Sequence, residues 1–582
     1  MTVLDRADLE FLLFDWLKAA DLSKSSRFAG QGAEDWRAFL DLGERLAQDL
    51  FLPANRPADR DEPRLEAGRV IVQPDLASAV QAYLDAGLHL ATVDEEHGGM
   101  GFPMVVSTAM MAMIMAANVA GSGFLMLSAA NARLIRDHGT PDQIARFAQP
   151  QHEGRALGTM CLSEPDTGSS LGDISTRAVP DGAGYRLYGR KMWISAADQN
   201  ITPDITHLVL AKIVGPDGRL AAGSKGISLF LVPKTLPDGT PNDISIIGLN
   251  HKLGYRGTPN CAVNFGDGSG ARGELLGQPG QGLPIMFQMM NEARINVGLS
   301  GAAMTARAFL LARDYARQRL QGRPLANKLA EKPVPILTHP DVRRMLLTQK
   351  AIAEGALALC LFAARLVDRI ATNPTDAQSP RLLDLLTPVV KTWPSEQGER
   401  AISLAIQVHG GAGYTRDFDV EQLWRDNRLN PIHEGTTGIQ GLDLLGRKLL
   451  SDQLVGFSAL CEELSATEGR AALQPDLAPL ATTLASLRQS VAAALQAELR
   501  KADAPATLAH ATPFLHAFGQ LVLGWIWLDM TECALRQHHP LAQSKLWTCR
   551  HYFETELPMI SALLAPMQAG SRLTTDIPQE LI

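Results

Sequence analysis

The chain has 582 residues, 46% of them hydrophobic and 20% charged, with a net charge of −8. That length suggests three or four domains with sizeable cores. The acidic balance argues against a nucleic-acid-binding body and against a polybasic membrane patch.

The opening run MTVLDRADLEFLLFDWLKAADL is acidic from its start and lacks the basic-then-apolar order of a signal peptide. Up to about residue 157 apolar spacing near 3.6, as in LASAVQAYLDAGL, predicts helices. Residues 104–120, MVVSTAMMAMIMAANVA, form a long uncharged stretch. Ser107, Thr108 and Asn118 dilute it, a Gly-Ser-Gly break follows, and no basic residue flanks it closely. A buried helix pair is therefore expected there, and no integral membrane segment. Between about 158 and 285 short β-like runs such as GTMCLS, KMWIS, THLVLAKIV and GISLFLV predict an antiparallel barrel or sandwich. Long amphipathic helices return from 286 to 450, interrupted by the connector ATNPTDAQSP (371–380). An Ala- and Leu-rich helical extension with the aromatic cluster FGQLVLGWIWLDM fills 451–582. The expectation is an α+β chain in four parts: a helical domain (1–157), a middle β domain (158–285), a helical bundle (286–450) and a helical extension (451–582). Cys161, Cys261, Cys360, Cys461, Cys533 and Cys549 lie far apart with no CxxC, as reduced thiols in a cytoplasmic protein do.

Several motif matches fail on context. GSSLG (168–172) fits G-x-S-x-G, but a β-like run follows Ser170, and the glycine-rich HGGAG (409–413) comes after the serine instead of before it. There is no P-loop and no G-x-G-x-x-G after a strand. His433-Glu434 lacks the second histidine of a zinc protease, and His538, His539, Cys549 and His551 fit no zinc spacing, so no metal is expected.

Four separated stretches survive together: MCLSEPDTGSS (160–170), KMWIS (191–195), QVHGGAGY (407–414) and IHEGTTG (432–438). With HKLGYRGTPNC (251–261), NEARINVGLSG (291–301) and YARQRL (315–320), they make the chain resemble the acyl-CoA dehydrogenase family over residues 30–450. KLWTCRHYFETELP (545–558) and the total length resemble its longer, C-terminally extended subfamily, which includes 3-methylmercaptopropionyl-CoA dehydrogenase.

The resemblance implies an FAD-dependent α,β-dehydrogenation of an acyl-CoA, with flavin taking the β-hydride, since no side chain accepts one. It implies that Met160, Leu162 and Ser163 contact the isoalloxazine, that Trp193 and Ser195 pack on and bond the ring, and that Ser169 lies near the acyl-CoA. Gln407, Gly410, Gly411 and Arg319 correspond to the binding segment for the adenosine diphosphate end of a neighbouring subunit's FAD, which implies a homodimer. Glycines there let backbone N–H groups approach phosphate. Glu434 corresponds to the catalytic base, Gly435 and Arg294 to the substrate side, and Thr436 to a flavin contact. Electron-transfer flavoprotein is the implied acceptor. Some relatives carry the base just before the arginine of the 291–301 segment, where this chain has Ala293; Glu292 is one step off and faces another direction. His433 in place of an aromatic residue, the shortened RLQGRPL (319–325) and Pro394 in KTWPSE (391–396) depart from the family pattern. An acyl-CoA oxidase, a non-dehydrogenating flavoenzyme on the same scaffold and a flavin-free binding protein remain as alternatives.

Overall fold

The computed structural model describes residues 2–326, 328, 329, 332–501 and 503–582; the side chains of residues 289–291, including Asn291 of NEARINVGLSG, lie outside the described set. The chain divides into two compact units, residues 39–102 with 113–293, and residues 2–38 with 103–112 and 294–582.

The first unit opens with a hairpin, β1 (Arg64–Glu66) and β2 (Arg69–Ile71). The stretch expected as a buried helix pair forms α1 (Met104–Ala117), of which residues 104–112 count with the second unit, and α2 (Val119–His138). Asn118, extended at φ −160°, ends the first helix and caps the second by accepting from Gly121 N. Eight strands follow: β3 (Ala156–Cys161), β4 (Arg177–Asp181), β5 (Gly184–Ser195), β6 (Asp204–Ile213), β7 (Ile227–Pro233), β8 (Ile244–Leu249), β9 (Asn260–Phe265) and β10 (Ala271–Leu276). Their order is β10-β7-β6-β4-β5, and β10 also pairs with β5, which closes five strands into a ring. β9 and β8 extend from β5, and β3 joins on β6.

The antiparallel expectation needs correcting at two ladders. β3–β6 and β4–β6 are parallel, so the sheet is mixed. β3 reaches β6 only after β4 and β5, a connection long enough to bring the two strands side by side in the same direction. β6 is buried along both faces, which explains its continuous apolar run. Cys161, Leu187, Val209, Phe230, Val263 and Phe265 form one core. Met160, Leu208, Leu210 and Leu229 form another with Leu134 and Ile135 of α2. Asn131 ties that helix to the sheet by donating to Thr159 O and Thr206 O, both at 2.9 Å.

The division between units falls within α3 (Gly282–Gln318). By length and apolarity α3 alone among the described helices is a candidate membrane span, but 78% of its apolar window is buried inside the fold, as in a core helix. The second unit continues with α4 (Pro340–Thr372), α5 (Gln378–His409), α6 (Thr437–Leu442), α7 (Val455–Ala472), α8 (Ala478–Leu499), α9 (Ala511–Arg536) and α10 (Ala542–Thr555). The expected connector shrinks to residues 373–377 between α4 and α5. In the C-terminal extension, Trp527 of α9 donates to Ala351 O (3.1 Å), and Trp525 donates to Thr467 Oγ1 (3.0 Å). Lys545 of α10 is buried and binds Asp8 and Glu354, the latter at 2.7 Å.

Pro394 lies inside α5 without ending it. A proline at that position has no N–H for Val390 O, four residues back. α3 uses the gap: a Cβ on Gly298 would sit 1.9 Å from Val390 O, and one on Gly301 would sit 3.0 Å from Pro394 O. The two helices thus meet backbone to backbone. Gly298→Ala is expected to destabilise the protein by about 2 kcal/mol or more, because neither backbone can yield cheaply. Thermal unfolding of the purified variant checks this, and an unchanged transition would contradict the packing.

Candidate functional site

The candidate residues fall into two sets, one in each unit. In the first unit, Met160 ends β3 buried, and Leu162 and Ser163 continue into a turn in which Glu164 and Thr167 exchange both backbone bonds (2.9 and 3.0 Å). β5 clamps that turn twice. Met192 N donates to Ser163 O at 3.0 Å, and Lys191 Nζ donates to Leu162 O at 2.9 Å. Directly after, the pairing of β5 with β9 shifts register between Lys191 and Ile194. Trp193 sits in that bulge with φ 66°, a left-handed backbone that a bulky residue adopts only under constraint. The result is a tryptophan 60% exposed on an otherwise packed sheet. Ser195 is half-buried and returns to register opposite Asn260, while Ser169 lies exposed in the loop beyond the turn.

Two residues that no motif assigned hold this set. Glu164 and Lys191 form an ion pair at 3.0 Å, both nearly sealed from solvent. The carboxylate also accepts from Ser175 N and Oγ and from Thr176 N and Oγ1, all within 3.0 Å. Burial opposes its charge, but Lys191 and these donors hold the carboxyl down at about 2. The signal was present in the sequence only in part: each residue lies inside a quoted motif, but nothing local marks it as buried.

In the second unit, Glu434 has φ 53° and Gly435 φ 90°, two consecutive left-handed residues just before α6. Gln440 Nε2 donates to Glu434 O at 3.1 Å. A side chain at Gly435 would strike that amide, since its Cβ would lie 2.6 Å away. Thr436 caps α6 by accepting from Ile439 N. Among the described residues, no hydrogen bond is made by the Glu434 amide or reaches its carboxylate. Burial pushes the Glu434 carboxyl up, opposed by Lys391 and Arg294.

His433 donates to Asn430 Oδ1 (3.3 Å), Asn430 to Asn427 Oδ1 (3.0 Å), and Asn427 to Ser395 O of α5 (2.9 Å). Burial, helped by Lys391, pushes the imidazole down to about 3, so it is uncharged at neutral pH. Its role is to end a polar ladder that ties the loop to α5. Arg294 is buried and pairs with Asp443 at 3.1 Å, leaving its Nε without a partner.

Gln407, Gly410 and Gly411 lie exposed where α5 ends, and Arg319 lies exposed just past α3. Gly410 has φ 60° and ψ −140°, a backbone open essentially to glycine alone, and a Cβ on either glycine would meet nothing within 4 Å. His409 stacks on Tyr315 with ring centroids 4.4 Å apart, which fixes the end of α5 against α3. Glu292, the other carboxylate considered, lies in the first unit in an ion pair with Arg133.

Comparison with known proteins gives a consistent pattern. Models of the acyl-CoA dehydrogenase N-terminal, middle and C-terminal domains match residues 34–155, 159–267 and 280–450, and an acetyl-CoA dehydrogenase C-terminal-like model matches 460–578. The 3-methylmercaptopropionyl-CoA dehydrogenase of Ruegeria pomeroyi is 36% identical over 503 residues, covering 84% of each chain. The broad-specificity linear acyl-CoA dehydrogenase FadE5 of Mycobacterium tuberculosis is 32% identical over 552 residues, 89% of this chain and 88% of its own. In fold, ACDH-11 of Caenorhabditis elegans in complex with C11-CoA superposes with a TM-score of 0.82 at 21% identity, covering 99% of this chain and 95% of its own. A Bacillus anthracis acyl-CoA dehydrogenase complexed with FAD gives 0.71 at 20% identity, covering 95% and 90%.

Lys191→Met leaves the Glu164 carboxylate buried without its cation and is expected to cost about 3–5 kcal/mol, measured by urea unfolding. Adding Glu164→Gln should recover most of that loss. Because the folded carboxyl titrates at about 2, its contribution is present above the unfolded value and fades as pH falls toward 2. The wild type should therefore lose more stability than the double variant over that acid range.

Proposed function

The chain belongs to the acyl-CoA dehydrogenase family, and from that membership we propose that it is an FAD-dependent oxidoreductase that forms a 2-enoyl-CoA from a saturated acyl-CoA, with Glu434 as base. The observation that carries the base is the Glu434–Gly435 turn. A left-handed glutamate is costly, and such strain persists where surrounding structure enforces it, commonly at active sites. The turn leaves both the carboxylate and the amide N–H of Glu434 without bonds among the described residues.

The residues present fit FAD. Trp193, raised off β5, offers an aromatic face for a flat ring. Met160, Leu162, Ser163 and Ser195 supply backbone and hydroxyl groups nearby in the first unit. The open backbone of Gly410 and Gly411, with Gln407 and Arg319, suits a pyrophosphate carried by a second copy of the chain. Bound FAD supplies the hydride acceptor.

The chain's own residues do the rest. The Glu434 carboxylate takes the proton from Cα, and its amide N–H donates to the thioester oxygen, which makes that proton more acidic. General-base action is worth about 10²–10⁴ in rate, and one such donor about 10²–10³. Arg294 stays paired with Asp443 and contributes positive charge beside Glu434. The neutral His433 holds the loop to α5 through Asn430 and Asn427. An electron-transfer flavoprotein is the electron acceptor proposed for the chain.

Anaerobic titration of the flavin-loaded protein with a panel of acyl-CoAs tests the reading: at least one should bleach the flavin band, and no bleaching by any would sink it. Glu434→Gln should retain flavin and bind acyl-CoA while slowing bleaching by about 10²–10⁴. Trp193→Gly removes the left-handed strain as well as the ring. It should leave the apoprotein at least as stable as the wild type while weakening FAD binding about tenfold, measured by reconstitution.

A further inference from the structure

Buried lysines elsewhere in this chain are paired. Among the described residues, Lys191 binds Glu164, Lys448 binds Asp384, Lys545 binds Asp8 and Glu354, and Lys212 donates to Gly172 O at 2.7 Å. Lys391 is the exception among the described residues. It is fully buried on α5, and its Nζ has no hydrogen-bond partner. A sealed ammonium with three unused N–H donors is costly, and an apolar side chain of similar length would remove the cost. Its stem has no route to solvent, because α3 presses on the same turn: a Cβ on Gly298 would come within 3.4 Å of Lys391 Cα.

The charges that face Lys391 explain its retention. Glu434 stands on the loop before α6, Glu396 one turn further along α5, and Arg294 on α3. Glu396 is already engaged, since Thr437 Oγ1 donates to it and His516 of α9 faces it. Arg294 is engaged by Asp443. His433 is the remaining titratable neighbour, and it is neutral. The half-buried Glu434 and the buried Lys391 are therefore the two charges here that no hydrogen bond neutralises.

Resting on the assignment of Glu434 as base, we propose that Lys391 is a positioning residue: its enclosed ammonium is the counter-charge that keeps the Glu434 carboxylate ionised. It acts through space and exchanges no proton. The proton leaving Cα goes to Glu434, and Lys391 stays charged throughout. A direct ion pair would occupy the carboxylate oxygen that must reach the substrate, whereas an unbonded cation stabilises the charge and leaves that oxygen free. Burial pushes the Lys391 ammonium down to about 8, so it is still mostly protonated at neutral pH. In the opposite sense, its field and that of Arg294 limit how far burial raises Glu434.

The test is the pH profile of kcat/KM for the flavin-loaded enzyme with an acyl-CoA that bleaches the wild type, measured for Lys391→Met and Lys391→Arg. Removing the cation makes Glu434 harder to ionise, so the acid limb should move to higher pH by about one unit. At a fixed pH below the limb that is a loss of about tenfold. Lys391→Arg, which keeps the charge, should restore the limb toward its wild-type position. An unmoved limb in flavin-retaining Lys391→Met, or a loss of rate equal at every pH, would overturn the proposal. Should Lys391→Met fail to hold flavin, Lys391→Gln is read by the same criteria. A wild type that bleaches with no acyl-CoA, or a Glu434→Gln that bleaches at full rate, would instead overturn the base assignment.

Discussion

The second unit is organised around a carbonyl that has lost its helical partner. Pro394 cannot donate to Val390 O, and Gly298 lets α3 fill the space at backbone distance. Close contact between main chains leaves neither helix free to slide or rotate. Everything attached to α5 inherits that rigidity: Lys391 beside the crossing, Ser395 just after Pro394, and the Gly410–Gly411 end one face further on. Ser395 O then receives Asn427, which leads by two more bonds to His433, one residue from the proposed base. A proline that looks like a defect in an amphipathic pattern is the reference point from which the Glu434 loop is placed.

The same logic of fixed frames carrying strained tips appears in the first unit. There the frame is the buried Glu164–Lys191 pair, and the tip is Trp193 in its bulge. Each unit has a buried lysine behind its strained tip, two residues from Trp193 in one and on a different element from Glu434 in the other, and the two lysines do different work. Lys191 donates to Leu162 O and to Glu164 and so holds backbone in place. Lys391 is satisfied nowhere and contributes only its field. Burial alone would give the two residues the same label; only the inventory of their bonds separates them.

Much of this was legible in the sequence, for identifiable reasons. The helical and β textures follow from apolar period, but the break in the methionine-rich stretch falls at Asn118, and the Gly-Ser-Gly expected to make it lies inside α2. The short motifs around Met160, Trp193, Gly410 and Glu434 could be read because glycines and turn residues punctuate them. What stayed hidden was long-range. The parallel partners of β6 depend on which strands meet after a crossover, and no local pattern encodes that choice. The pairing of Glu164 with Lys191 links positions 27 residues apart. The partnerless state of Lys391 is an absence that no sequence pattern records. Pro394 looked like a kink because the glycine that accommodates it lies on another helix.

Lys545 gathers Asp8 and Glu354 into one buried cluster, and its bond to Asp8 spans 537 positions of chain. On a ribosome adding about 5–20 residues per second, Asp8 emerges roughly half a minute to two minutes before its cation exists. Throughout that interval Asp8 lacks the cation that it binds in the finished fold. The C-terminal extension therefore seats residues more than five hundred positions before it, and a chain truncated ahead of Lys545 would leave Asp8 and Glu354 without their shared cation.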